Sequence, residues 1–304
     1  MKYVNMILWL SWLIVVLALV AVGAAFLWPN DGAPFTVTSL RGQEVQIYGR
    51  GVYRYDTLFT GAANRGSDVV TLVLGLPLLI YATVRYGRGS LRGGLLLLGT
   101  LVYFLYLYSS YALGIAFNPL FPVYIALFSA SLFAFVLLFA SIDRRLLADH
   151  LAPDLPRRSI ATFMFISGLA TLVIWLLPLR NDLALNQLPP ASGTYTTKIT
   201  DVLDLGIITP ATFIAGTLIW RRNPVGYLVA VSLLVLEMLL LPMIAAQTVS
   251  QFAAGITFTT VEIVGPMVGF ATLGLLALWV TVVLLRNVAD PGNEQVPRLL
   301  PAQG

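Results

Sequence analysis

Cysteine is absent from the 304 residues, and histidine occurs once, at position 150. Without thiols the chain has no disulfide, no thiolate nucleophile and no cysteine-held metal, and one histidine cannot build a histidine-rich metal or haem site. Charge is scarce as well, at 11% of residues against 58% hydrophobic, with a mean hydropathy of +0.86. Those values lie far from a soluble domain, so the bilayer is the solvent to reason with. No phosphate-cradling or nucleophile-elbow pattern sits in a suitable strand and helix context. The glycine-rich stretch YGRGVYRYDTLFTG lacks the strand and helix that would make it a dinucleotide fingerprint. No lysine falls inside an apolar run, which removes a retinal Schiff base. The sequence points to no metal site and designates no cofactor.

What remains is long apolar runs. About 20 such residues cross a bilayer, and the runs fall at 6–28, 69–86, 93–117, 123–142, 160–179, 201–220, 225–249 and 256–285. The expectation is an all-α integral membrane protein of about eight helices, forming one membrane domain over 1–286. The proline-containing tail 287–304 is expected to be disordered. A cleaved first run, with Ala24 and Ala25 near the cut, would leave seven spans. Its apolar core is longer than a signal-peptide core and only Lys2 precedes it, which favours an uncleaved anchor.

The first long connection, 29–67, alternates polar and apolar residues at Phe35 to Thr38 and again at Glu44 to Tyr48. That pattern predicts a short hairpin on the membrane surface. Arg50, Tyr53, Arg54 and Asp56 follow it and are candidates for a lid. Arg50 and Arg54 are the expected counter-charges for buried carboxylates beneath.

Basic residues report orientation in a membrane protein before they report nucleic-acid binding, of which there is no sign. Twelve of the 18 lie on the side of the N-terminus: Lys2, Arg85, Arg88, Arg92, Arg144, Arg145, Arg157, Arg158, Arg221, Arg222, Arg286 and Arg298. The positive-inside rule therefore puts both termini in the cytoplasm, with the 29–67 loop outside, in a membrane expected to be the prokaryotic cytoplasmic one.

A carboxylate within a span costs a few kcal/mol even on mild scales, so each one is a functional candidate. Glu237 lies midway along span seven and Glu262 in the outer third of span eight. Asp201 and Asp204, three apart on one helical face, open span six, and Asp68 opens span two. Helix capping is the plain alternative for Asp68, Asp201 and Asp204. Tyr103, Tyr106 and Ser110 form one stripe of span three, with Tyr108 and Tyr111 on another, and are expected to line the same outer region. Packing and an interfacial aromatic belt explain them equally simply. Pro77, Pro210, Pro242 and Pro266 each interrupt a span, as the broken helices of transporters do and as simple kinks also do.

Three functions fit this inventory. A transporter or permease-like protein would bind a small molecule, proton or cation at an outward-facing carboxylate site, with Glu237 coupling the ion. A non-catalytic subunit or sensor would bind a membrane-protein partner through the 29–67 loop. A membrane enzyme would use the outer carboxylates, or Mg²⁺ held by them, on a lipid-like substrate. No recognisable catalytic set is present, which disfavours the third. The bilayer itself is a partner in every case.

Overall fold

The computed structural model describes residues 3–40, 42–184 and 193–290, with backbone alone at 181, 182 and 261–266. Helix α1 (Val4–Leu27) is followed by strands β1 (Phe35–Thr38) and β2 (Glu44–Ile47). Helix α2 (Leu58–Val70) runs through a π-helical turn (Thr71–Gly75) into α3 (Leu76–Gly87), and α4 (Leu91–Gly114) and α5 (Phe121–Ser141) follow. After the short α6 (Arg144–Asp149) come α7 (Arg157–Ala184) and α8 (Ile199–Leu203). A second π-helical turn (Asp204–Ile208) leads into α9 (Thr209–Trp220), followed by α10 (Pro224–Ala253) and α11 (Thr260–Arg286). Among the described residues, eight helical stretches are long and apolar enough to span a membrane. The chain is an all-α, multi-pass integral membrane protein carrying one small antiparallel hairpin.

The helices are apolar nearly all round, as lipid-facing helices are. Their outer surfaces expose Trp9, Val73, Phe133, Ile166, Leu276 and Trp279, a belt too large for a soluble monomer. Polar caps set the starts: the Ser90 hydroxyl accepts the Gly93 N–H at 3.0 Å, and Asn223 Oδ1 accepts the Val225 N–H at 3.0 Å. At the centre stand α4, 72% buried over its apolar window, and α10, 56% buried, in contact with each other. Helices α2, α9 and α11 pack on α10, while α3 and α5 pack on α4. Helix α1 lies outside α5 and α3, and α7 lies outside α9. Small residues permit the closest crossings. A Cβ on Gly66 would stand 2.5 Å from the Ala246 backbone, and one on Gly99 2.5 Å from Val235 Cβ.

The hairpin has the expected strands, paired Phe35 to Ile47 and Thr38 to Glu44. Span two differs from expectation. Its helix begins at Leu58, capped by Thr57, which accepts the Thr60 N–H at 3.2 Å. Asp68 is therefore inside a helix and caps nothing. The turns before it carry Asn64, Gly66 and Ser67 on a face buried against protein. Hydropathy places the start of the span at 69, eleven residues after the helix begins.

Pro77 and Pro210 each sit at the second residue of the helix after a π-helical turn, where the widened backbone spares the ring its clash with the preceding turn. Pro242 lies within the continuous α10. Pro266 lies in α11, and its side chain is outside the described residues.

At the arginine-rich end the segment after α11 is held rather than loose. Asp290 accepts from Ser90 at 2.9 Å, from the Arg92 N–H at 3.0 Å and from Arg85 at 3.3 Å. The Arg92 side chain donates to the Val288 carbonyl, and the Ala152 N–H donates to Asn287 O at 2.8 Å. The expected disorder of the tail thus fails for 287–290; residues 291–304 lie outside the described residues.

Candidate functional site

The carboxylates separate into three environments at the loop end of the bundle. Asp68, 2% exposed on α2, lies among tyrosines. The Tyr53 hydroxyl, from the connection after the hairpin, donates to Oδ2 at 2.7 Å. The Tyr111 hydroxyl, from α4, lies 3.4 Å from Oδ1 and 3.1 Å from the Asn64 carbonyl. Tyr53 and Tyr111 meet edge to face at 6.1 Å between centroids, and Tyr124 of α5 meets Tyr111 at 5.3 Å. Tyr108 stacks on Tyr124 at 6.3 Å. One turn beyond Asp68, the Thr71 hydroxyl shares a 2.9 Å hydrogen bond with Tyr103. Gly75 leaves the room: a Cβ there would stand 2.8 Å from the Tyr103 ring. Burial and the nearby Asp68 both push the Tyr53 phenol well above its ordinary pKa.

The second environment is a cavity of about 40 Å³ between α7, the second π-helical turn, α9, α10 and α11. Glu237 and Asp204 both line it, with Ser167, Thr171, Trp175 and Thr212, against a wall that includes Leu236 and Phe270. The Ser167 hydroxyl donates to Glu237 Oε1 at 2.8 Å, and the Tyr106 hydroxyl reaches Asp204 Oδ2 at 3.3 Å. Asp201 is not part of that lining. One turn toward the loop end, its Oδ2 lies 2.7 Å from the Lys198 ammonium. Asp201 and Asp204 therefore do not face one space as a pair.

Asp56, fully buried, makes the third environment. Its Oδ1 accepts the Ala116 N–H at 2.8 Å and the Tyr195 hydroxyl at 2.6 Å, while Oδ2 has no partner. It latches the first loop to the end of α4 and to the connection before α8. Burial raises its carboxyl to a pKa of about 6, against the lowering effect of those two donors. Burial and the Asp56 charge raise the Tyr195 phenol.

Of the residues expected from sequence, Glu237 and Asp204 share a cavity and Tyr106 reaches it. Asp68 and Tyr103 belong to the tyrosine cluster, where Tyr53 is the lid residue that makes contact. Ser110 turns back to the Tyr106 carbonyl at 3.0 Å and serves neither place. Arg50 and Arg54 are exposed, Arg54 lying 5.5 Å over the Tyr55 ring, so the counter-charges expected for the carboxylates are not there. Phenols meet Asp68 instead. The nearest guanidinium, Arg65, donates to the Ala25 carbonyl at 3.1 Å. Glu262 lies in α11, and its side chain is outside the described residues.

Ser167, Thr171, Trp175, Thr212 and Tyr195 were not singled out by sequence. Ser167 and Thr171 stand four apart in an apolar span, which puts both hydroxyls on one face, and that spacing was the available signal.

These features define a multi-pass membrane protein in which Asp204 and Glu237 line a largely apolar cavity and Asp68 lies in a closed polar cluster. Comparison with known protein families, curated proteins and solved structures finds no match.

Proposed function

We propose that the protein is a permease-like transporter that binds a proton or a monovalent cation in the Asp204 and Glu237 cavity. The observation that carries this is the convergence of two span carboxylates from different helices on one space, beside a π-helical break. Carboxylates at that depth are costly, and π-helical turns recur at functional sites. About 40 Å³ exceeds the 10–15 Å³ that one water centre needs, so it holds a few waters or a largely desolvated small ion. Hydroxyls of Ser167, Thr171 and Thr212 supply further oxygens. The basic turns argue for cytoplasmic termini in a prokaryotic cytoplasmic membrane.

Purified protein in liposomes is expected to carry a cation current down an imposed gradient. Glu237→Gln is expected to lower it at least tenfold; unchanged flux in that variant rejects the reading. A pH jump at constant sodium, set against a sodium jump at constant pH, separates the two ions. A second reading, a subunit or sensor docking through the hairpin, is favoured by the exposed Phe35 and Leu40. A stoichiometric partner after mild extraction from native membranes would support it.

A further inference from the structure

Residues 66–114 and 199–247 repeat one another in their element pattern. The π-helical turns Thr71–Gly75 and Asp204–Ile208, the helices α3 and α9 that follow them, and the starts of α4 and α10 all recur at one spacing of 133 positions, as Thr71 to Asp204 and Leu91 to Pro224 show. Local details keep that register. Asp68-Val69 matches Asp201-Val202, and Pro77 matches Pro210. The caps Ser90 and Asn223 match, and each follows a residue of positive φ, Gly89 at 80° and Arg222 at 58°. Gly93 packs against Arg85 and Tyr86 as Gly226 packs against Leu218 and Ile219.

Contacts between the halves obey the same rule. Gly66 of α2 meets Ala246 and Gln247 of α10, and the matching pair, Ile199 of α8 and Gly114 of α4, also meets. An exchange of this kind, with α4 against α10 between the halves, is a pseudo-two-fold arrangement. Four spans separate equivalent helices, so the repeats run the same way and the axis lies along the bilayer normal.

Each half therefore has a carboxylate one turn before its π-helical turn, and the second half displays what that position accepts. Asp201 holds an ammonium, that of Lys198. Its counterpart Asp68 holds the Tyr53 phenol. Around Asp68 the buried Tyr108 hydroxyl and the Asn64 amide nitrogen have no partner. A carboxylate among phenol oxygens and aromatic rings is the chemistry that recognises an alkylammonium. The described residues before the two positions differ: α2 begins at Leu58, whereas 193–198, which match 60–65, are non-helical until α8 starts at Ile199.

We propose that Asp68 with Tyr108, Tyr111 and Tyr124 is an ammonium-binding site for small primary amines, with Tyr53 as its displaceable resident. It stands on other residues than the Asp204 and Glu237 cavity, and holds whether or not that cavity carries cations.

The test is calorimetric titration of the full chain in detergent with ethylammonium chloride, against sodium chloride at equal ionic strength. A Glu237→Gln, Asp204→Asn background silences the other cavity. In that background Tyr53→Ala is expected to bind ethylammonium at least tenfold more tightly than its parent, and a further Asp68→Asn to abolish binding. Tyr53→Phe, which keeps the ring and loses the hydrogen bond to Asp68, is expected to tighten binding at least threefold, and decides the matter if the alanine variant does not fold. Folded Tyr53 variants that bind no more tightly than the parent, or binding that survives Asp68→Asn, overturn the proposal.

Discussion

The surroundings of Asp68 and of Asp204 begin from matching stretches of backbone and end in opposite states. Around Asp68 the protein has filled the space with its own phenols, whereas beside Asp204 a cavity remains between five elements. The described residues that precede the two π-helical turns differ as well. A continuous helix and a latched loop cover the first. Residues 193–198, in turns and bends, adjoin the second. A π-helical turn and the helix after it thus stand beside a packed polar cluster in one place and beside a cavity in the other.

The sharpest way to break the comparison is at the crossings. Gly66→Leu forces a side chain onto the Ala246 backbone and is expected to cost at least about 3 kcal/mol, or to prevent folding. Ile199→Leu, at the matching place in the second half, conserves volume and is expected to cost under about 1.5 kcal/mol. Melting temperatures in detergent compare the two.

The latch shared by both connections responds to pH. The native Asp56 keeps its proton up to about pH 6, above the ordinary aspartate value, so between the two the native state binds more protons than the unfolded one. Stability then falls as pH rises from about 4 to 6, by up to roughly 3 kcal/mol, and levels off above. Asp56→Asn keeps an acceptor for Ala116 and Tyr195 and is expected to flatten that slope in melting curves at pH 4.5 and 7.5.

Tyr53→Phe removes one good hydrogen bond in a dry cluster and is expected to cost about 1–2 kcal/mol by denaturant titration, bringing the first site nearer to the second. Tyr106→Phe removes a longer bond beside a cavity where water can replace it, and a change within about 0.5 kcal/mol is expected. A larger loss at Tyr106 than at Tyr53 would invert the ranking of packed and open sites.

The span number, the hairpin strands and the tight turns are legible in the sequence because lipid contact, alternation and turn chemistry act locally. The Asn118-Pro119 turn, for instance, closes with Asn118 Oδ1 accepting the Leu120 N–H at 2.9 Å. The start of α2 is not legible through hydropathy, since Asn64, Ser67 and Asp68 face protein and disguise the helix as a loop. Nor are the partners. Arg50 and Arg54 were the obvious counter-charges near Asp68, but a guanidinium that can reach solvent stays there, while phenols tolerate burial. The pairing of Ser167 with Glu237 depends on how α7 lies across α10, which no local pattern encodes. The duplication was legible in Asp68-Val69 and Asp201-Val202, each nine residues before a proline, but only by aligning the chain with itself.

The contacts of Asp290 bear on how the bundle can move. They pin the end of the last span to the turn between α3 and α4, and neighbouring backbone bonds add the segment after α6. At the opposite end Asp56 ties the first loop to the end of α4 and to Tyr195 before α8. One carboxylate thus rivets the connections at each end, Asp290 at the arginine-rich end and Asp56 at the other. Movement of either set of connections must first break the hydrogen bonds of that carboxylate.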